Sequence, residues 1–284
     1  MARSGADIPV IKHTFRSFID SYTLKAGLER LHYHTGVEVG VIMSGSALLR
    51  LGGKDYRLGA GDAYFLDAMI PHYHAIGNSS GAENICVQVP SEALVDLPTR
   101  RDPIRMMEPF IALRLGISPV LRGNGDVQHH LVRALEYYKL PDEMGDIPAW
   151  CEVLHAIVRI RECVLKQQTP GDAAGTRKVN RLLTQAITFI HRRFSTSFST
   201  EDVARDCSVS VSHLSHLFQD VMHASILQYR DQLRVAHAAH LIAVSDEKLT
   251  NIAYDCGFNS LSHFYRIFKK NTGKTPRQYR LEIA

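Results

Sequence analysis

The 284-residue chain is 45% apolar and 22% charged, which at roughly 150 residues per domain suggests about two domains with ordinary cores and excludes collagenous, disordered and membrane-embedded classes. Its five cysteines, Cys86, Cys151, Cys163, Cys207 and Cys256, are scattered without a close CxxC pair, so neither a disulfide framework nor a zinc ribbon is indicated and a reducing cytosol fits. The formal net charge of +4 is lopsided: residues 171–284 hold 15 Lys and Arg against 10 Asp and Glu, whereas the first 170 hold 18 against 19.

The N-terminus, MARSGADIPVIKHTF, lacks the apolar region of a secretory signal. The longest apolar stretch, near Val37 to Met43, is broken by Glu38 and Gly40 and falls far short of the ~20 residues of a membrane span. From about Val10 to Val89 the pattern predicts strands. Runs at Glu38 to Met43, Ala47 to Leu51, Ala63 to Leu66 and Ile85 to Val89 are separated by turn signals at Ser44-Gly45, Gly52-Gly53, Gly59-Ala60-Gly61-Asp62 and Gly77-Asn78-Ser79-Ser80. Many short strands with glycine turns suggest a small barrel or sandwich.

Within the strands, His32, His34 and Glu38 share a parity, so all three can face one interior. The HxHxxxE spacing from His32 to Glu38 resembles the first cupin motif, and Gly59 to Phe65 through Pro71-His72 resembles the second, with Asp67 and Met69 at positions where that motif has proline and glycine. His72 stands where the last ligand of a three-His, one-carboxylate site would be. Such a donor set suits zinc, iron, manganese or nickel. Three readings stay open for His32, His34, Glu38 and His72: a metal site, a polar pocket for a small effector such as a sugar, or structural histidines. His74 shares the parity of His72 and joins the effector set.

After Pro98 the period changes. Val127, Leu131, Ala134, Leu135 and Tyr138, then Trp150, Leu154, Ile157, Val158 and Leu165, recur at helical spacing, predicting amphipathic helices over about Asp126 to Lys139 and Ala149 to Gln167. QQTPGDAAGTR, residues 167–177, has no apolar period and reads as a linker. Beyond it the chain repeats: Val203 to Val209 matches Ile252 to Phe258 at an offset of 49, and Leu214, Phe218, Tyr229 and Arg230 match Phe264, Phe268, Tyr279 and Arg280 at an offset of 50. One residue is inserted just after Phe258.

Each unit reads as short helix, turn, second helix, with Thr200 and Thr250 as first-helix caps and Ser210 or Asn259-Ser260 as second-helix caps. The second helix buries Leu214, Leu217 and Phe218, or Phe264, Ile267 and Phe268. Its polar face carries Ser212, His213, Ser215, His216 and Gln219, or Ser262, His263, Tyr265, Arg266 and Lys269. That is helix-turn-helix geometry, in which the second helix enters the major groove and needs donors and acceptors on its first turns with cations beyond for phosphate.

LSHLFQDVMHASILQYRDQLRVAHAAHLI followed by LTNIAYDCGFNSLSHFYRIFKKNTGKTPRQYR resembles the DNA-binding domain of the AraC family of transcription regulators over some 80 residues. The resemblance implies two helix-turn-helix units on one connecting helix, about Leu227 to Val244, reading successive major grooves of double-stranded DNA. It also implies a barrel sensor and a helical segment that pairs two subunits. The first unit departs from the pattern, since Val221 to Ile226 replaces the glycine and proline of Thr272 to Pro276, and its second helix has no arginine.

The expected fold is α+β multidomain. It comprises a cupin-like effector-binding barrel over 1–98, a helical dimerisation segment over 99–166, the linker over 167–177, and an all-α DNA-binding domain over 178–284 with helix-turn-helix units at about 200–220 and 250–271. Expected DNA-binding residues are Ser210, Ser212, His213, Ser215, His216, Asn259, Ser262, His263, Arg266, Lys269 and Lys270. Expected partners are DNA, an effector, a second copy of the chain and RNA polymerase, with no membrane, in the cytoplasm. The alternative is a metal-dependent cupin enzyme with an appended helical domain.

Overall fold

The computed structural model describes residues 10–11, 18–24, 32–34, 36–68, 70–75, 81–95, 106–167 and 173–283. The strands are β1 (Val10–Ile11), β2 (Phe18–Leu24), β3 (His32–Tyr33), β4 (Gly36–Leu51), β5 (Lys54–Gly59), β6 (Ala63–Leu66), β7 (His72–Ala75), β8 (Ala82–Pro90) and β9 (Val120–Leu121). They form the expected barrel, and β4 organises it. Its first part pairs antiparallel with β6 and β8, its second with β5 and β7. The Ser44-Gly45 signal, read as a turn, instead follows a bulge: the register with β8 shifts between Ile42 and Ser44, Ser44 and Gly45 pair with Glu83 and Ala82, Gly45 takes φ +76, and the strand continues. A Cβ on Gly45 would stand 2.3 Å from the Gly81 carbonyl oxygen, so only glycine lets the two strands approach there. The Gly77 to Ser80 turn and Met69 lie outside the described residues.

Both faces of β4 are buried, against different partners. Val37, Val39 and Val41 join a core with Phe65, Val87, Phe110, Leu131, Val153, Ile157 and Ile160, whereas Ile42, and Leu49 beyond the bulge, pack with Tyr64, Leu66 and Cys86. Helices α1 (Ser91–Val95), α2 (Glu108–Arg114), α3 (Gly125–Tyr138) and α4 (Asp142–Gln167) supply the outer partner. Segment 99–166 is therefore not purely helical: β9 lies in it and extends the sheet beside β6. α4 begins seven residues before the expected Ala149, because Pro148 costs it an internal hydrogen bond without ending it. Asn124 caps α3 by accepting from the Val127 amide.

The helices α5 (Ala173–Arg193), α6 (Thr200–Asp206), α7 (Val211–Met222), α8 (Ile226–Val244), α9 (Leu249–Asp255), α10 (Leu261–Thr272) and α11 (Pro276–Ile283) make the C-terminal part. Residues 173–177 of the expected linker are helical, as the alanines there permit, and the 98/99 boundary and residues 168–172 lie outside the described residues. The repeat is visible in the bounds: α6 and α9 are both seven residues, α7 and α10 both twelve, with Asn259 the inserted residue of the second turn. Ser210 and Ser260 cap α7 and α10 by accepting from the His213 and His263 amides. The first-helix caps differ from expectation. Ser199, not Thr200, caps α6 in a reciprocal box with Asp202, and Lys248 precedes α9 with no side-chain cap.

α8 belongs to both units. Ile226, Tyr229 and Leu233 pack with Leu214 and Phe218, while Val235, Ala236, Ala238, Ala239 and Ile242 pack with Phe264 and Phe268. Each of these phenylalanines, fully buried, contributes roughly 1.5–3 kcal/mol through burial. Cys207 and Cys256, equivalent in the repeat, are core residues whose thiols burial pushes up to about 12.

The turn after α7 is as tight as the one after α10, although it has no glycine: His223 occupies the left-handed region at φ +53, where Gly273 sits at φ +76. Replacing His223 with glycine should raise stability by up to about 1 kcal/mol in denaturant unfolding, because the left-handed conformation costs a residue with a Cβ roughly 1–2 kcal/mol. Gly257, at φ +84, faces the opposite situation, since a Cβ there would meet the Ser195 carbonyl oxygen at 2.3 Å. Gly257→Ala should therefore cost at least about 2 kcal/mol. Equal stability of Gly257→Ala and wild type would contradict the close approach.

Candidate nucleic-acid interface and polar barrel interior

The faces of α7 and α10 that do not enter the core carry the expected polar residues. Ser212, His213, His216 and Gln219 on α7 are exposed and Ser215 is half-buried; Ser262, Arg266, Lys269 and Lys270 on α10 are exposed, as are Ser210 and Asn259 at the helix entries. His263 departs from the expected outer face. It is half-buried, its ring centroid 5.7 Å from that of Phe258 and its Nε2 3.9 Å from Asp231 Oδ2 on α8. Lys269 and Lys270 fall in the last turn of α10, where cations also suit the helix dipole.

The barrel interior brings His32, His34 and His72 together. Each offers a nitrogen within 4.8 Å of the others, all three buried. Glu38 lies beside them, 2% exposed, and its carboxylate takes four partners: His34 Nε2 at 3.1 Å, the Tyr64 hydroxyl at 3.1 Å, Gln88 Nε2 at 3.2 Å and His72 Nε2 at 3.8 Å. Asn84 Nδ2 donates to the Tyr64 oxygen. His74 is buried with its ring centroid 5.0 Å from that of Tyr64. Sequence reasoning missed Tyr64, Asn84 and Gln88. The structure brings them in through strand pairing: Gln88 is the register partner of Glu38, and Gly40 leaves room for the Tyr64 ring, which a Cβ would meet at 2.2 Å.

Burial alone would raise the Glu38 carboxyl, but the hydrogen bond with His34 and the nearby His72 imidazole outweigh it and hold the group well below the usual carboxylate range. Burial likewise pushes His34 below its ordinary value, against the pull of Glu38. A neutral imidazole has one N–H. Yet both His34 nitrogens face acceptors, Nδ1 at 2.6 Å from the Gly36 carbonyl and Nε2 toward Glu38. His72 Nδ1 lies 2.8 Å from the Ile70 carbonyl, leaving its buried Nε2 without a hydrogen bond. Nitrogen lone pairs thus converge beside an ionised carboxylate, and the cluster calls for one positive centre, either a proton shared between His34 and Glu38 or a cation among the three histidines. The donor set fits a divalent metal.

The two halves of the chain meet through α2. Asp67, just after β6, bonds Arg114 at 2.5 Å, and its carboxyl is pushed up by burial despite the guanidinium. Ile111 of the same helix is buried in the core of the first helix-turn-helix unit, and Asn180 of α5 donates to the Glu108 carbonyl.

Because the folded Glu38 value lies below the ordinary 4.5, the stability it contributes is complete above about pH 4.5 and is lost as pH falls through the folded value. The difference in unfolding free energy between wild type and Glu38→Gln should therefore shrink as pH falls below about 4.5. The same difference at about pH 3 and pH 7 would contradict an ionised Glu38.

Residues 203–282 match the family described as helix-turn-helix domain, and residues 22–87 match the cupin domain family. The transcriptional activator RhaR of Shigella dysenteriae is 23% identical over 254 residues, 88% of this chain and 86% of that one. The regulator YijO of Escherichia coli K12 is 33% identical over 111 residues, so this chain spans 39% of that relative's length. ToxT of Vibrio cholerae, solved with an unsaturated fatty acid bound, shares the fold over 95% of this chain and 96% of its own, with a TM-score of 0.51 at 15% identity. RhaR and YijO are a transcriptional activator and a transcriptional regulator, and no helix among the described residues is long and apolar enough to cross a membrane. With a cupin-domain match ahead of a helix-turn-helix match, the chain is similar to AraC-type transcription regulators with an N-terminal effector-binding domain.

Proposed function

We propose that this regulator acts in the cytoplasm as a homodimer and lays α7 and α10 into successive major grooves of double-stranded DNA, a binding it adjusts when a small polar effector occupies the barrel. The observation that carries DNA reading is the pair of equally long, serine-capped helices with exposed polar faces, both packed on one helix. Ser212, His213 and His216 on α7, with Ser215 at the edge, and Ser262 and Arg266 on α10 reach base edges. Ser210, Asn259, Lys269 and Lys270 hold phosphates. His263, drawn toward Asp231, positions the start of α10 more than it reads.

Effector chemistry follows from the interior. His32, His34, Glu38, His72 and His74, with Tyr64, Asn84 and Gln88, offer donors and acceptors in an apolar surround, which suits a polyhydroxylated molecule such as a sugar. Carboxylate and imidazole groups make a poor seat for the aliphatic chain seen in ToxT. Where a divalent metal is bound, His32, His34 and His72 would hold it beside Glu38, and it would supply a Lewis-acidic centre for an effector oxygen. No catalytic role is assigned, and the enzymatic reading would need turnover dependent on His32 and His34.

Dimerisation is supported by α3 and α4, which cover the barrel with one face yet leave Tyr138, Met144, Ile147, Val158 and Leu165 exposed, Ile147 at 78%. A second copy covering these residues would double the DNA contacts and raise avidity. RNA polymerase is the further partner of such a regulator at a promoter.

Arg266→Ala should cost roughly 1–3 kcal/mol on the preferred duplex and relax discrimination at one base pair. Lys269→Ala should weaken all duplexes about alike and lower the slope of log affinity against log salt by about 1. Gel-shift titrations over a set of singly substituted duplexes measure both. Unchanged relative affinities in Arg266→Ala would remove it from the readers.

A further inference from the structure

A second cluster of metal-ligating side chains lies outside the barrel, on the α3–α4 hairpin. His130 projects from α3, and Glu152 and His155 from α4, where their three-residue spacing places them one turn apart on one side. One ligand atom from each lies within 4.8 Å of the other two. His130 Nδ1 is 2.6 Å from Glu152 Oε2, and the His130 and His155 ring centroids are 5.2 Å apart. A tie between α3 and α4 explains the His130–Glu152 contact alone. It does not explain why a second imidazole stands against the same pair, since among the described residues His155 carries no hydrogen bond.

We propose that His130, Glu152 and His155 bind a borderline divalent transition metal, Zn2+ being representative, and so clamp α3 to α4. Two imidazole nitrogens and one carboxylate oxygen form a donor set that zinc takes in tetrahedral geometry, with water in the fourth position. Tetrahedral zinc with bonds of about 2.0–2.1 Å wants its ligand atoms about 3.3 Å apart, which lies between the 2.6 Å from His130 Nδ1 to Glu152 Oε2 and the 4.8 Å within which all three ligand atoms fall. The metal displaces the proton that His130 shares with Glu152. Arg133, whose Nε is 3.7 Å from Glu152 Oε1, stays on the other carboxylate oxygen. His155 is exposed and His130 and Glu152 are half-buried, so the ion enters from solvent. The site is independent of DNA reading and of what the barrel binds. Holding the two helices that cover the barrel, it stabilises the folded state by mass action.

The test is a zinc titration of the untagged full-length chain after chelator treatment, followed by calorimetry and by the shift in Tm, on the wild type, His155→Gln and His72→Gln. His72→Gln disables the barrel trio and should keep one equivalent of zinc. His155→Gln should lose one equivalent relative to wild type, or bind it at least about a hundredfold more weakly, the upper end of what losing even an outer partner of a ligand costs. It should also lose the corresponding rise in Tm. Since His155 is exposed, this variant stays folded, and its stoichiometry alone decides the matter should His72→Gln not fold. Zinc stoichiometry and affinity unchanged in His155→Gln, or loss of every equivalent in a folded His72→Gln, overturns the proposal.

Discussion

The two DNA-facing units are held by one helix that neither can release. α8 gives its first half to the core around Leu214 and Phe218 and its second half to the core around Phe264 and Phe268. Its 19 residues rise about 28 Å, a length comparable with the ~34 Å of one duplex turn. Ala236, Ala238 and Ala239 let neighbouring helices approach closely. At its middle, Arg234 is 5% exposed and donates to the Phe194 and Thr196 carbonyls, its guanidinium pushed down to about 10 chiefly by burial. A buried cation without those carbonyls would cost several kcal/mol, so they fix α8 against the loop between α5 and α6. His191 of α5, 3.1 Å from the Tyr229 hydroxyl, adds a second fixed point.

The sensor half rests on a different constraint, a buried carboxylate that must be satisfied. Glu38 is reached by four side chains from β6, β7, β8 and the segment after β3, so loss or gain of charge in the interior bears on several strands at once. One of these strands, β6, carries Tyr64 into the cluster and leads directly to Asp67, the residue bonded to Arg114 of α2. α2 then places Ile111 in the core beneath α7. A path of contacts and connecting chain thus runs from the polar interior to the core beneath α7, and an effector that binds one arrangement of it better than another would shift DNA affinity by no more than that difference.

Much of this was legible in the sequence because periodicity and repetition are strong signals. The offset of 49 becoming 50 located Asn259 as an insertion in a turn, and α7 and α10 duly keep equal lengths. The parity of His32, His34 and Glu38 foretold a shared interior. What stayed hidden depended on partners distant in the chain. Tyr64 and Gln88 approach Glu38 only through strand register, and Ser44-Gly45, just past the bulge of β4, reads locally as a turn because glycine serves both. The left-handed His223 shows a tertiary context imposing a conformation that local preference argues against, and His263 turned toward Asp231 because a helix face wide enough for five polar residues has edges that meet a neighbour. β9 was missed because two residues carry no period at all.

Rigid spacing of α7 and α10 by α8 is most directly tested by selecting bound duplexes from a random pool with the full-length chain. The recovered site should hold two short determinants centred about 10–10.5 base pairs apart within each subunit's half, and inserting half a turn between them should abolish high-affinity binding. Binding that tolerates that insertion, or a pool that yields a single determinant per subunit, would contradict two readers fixed on one helix.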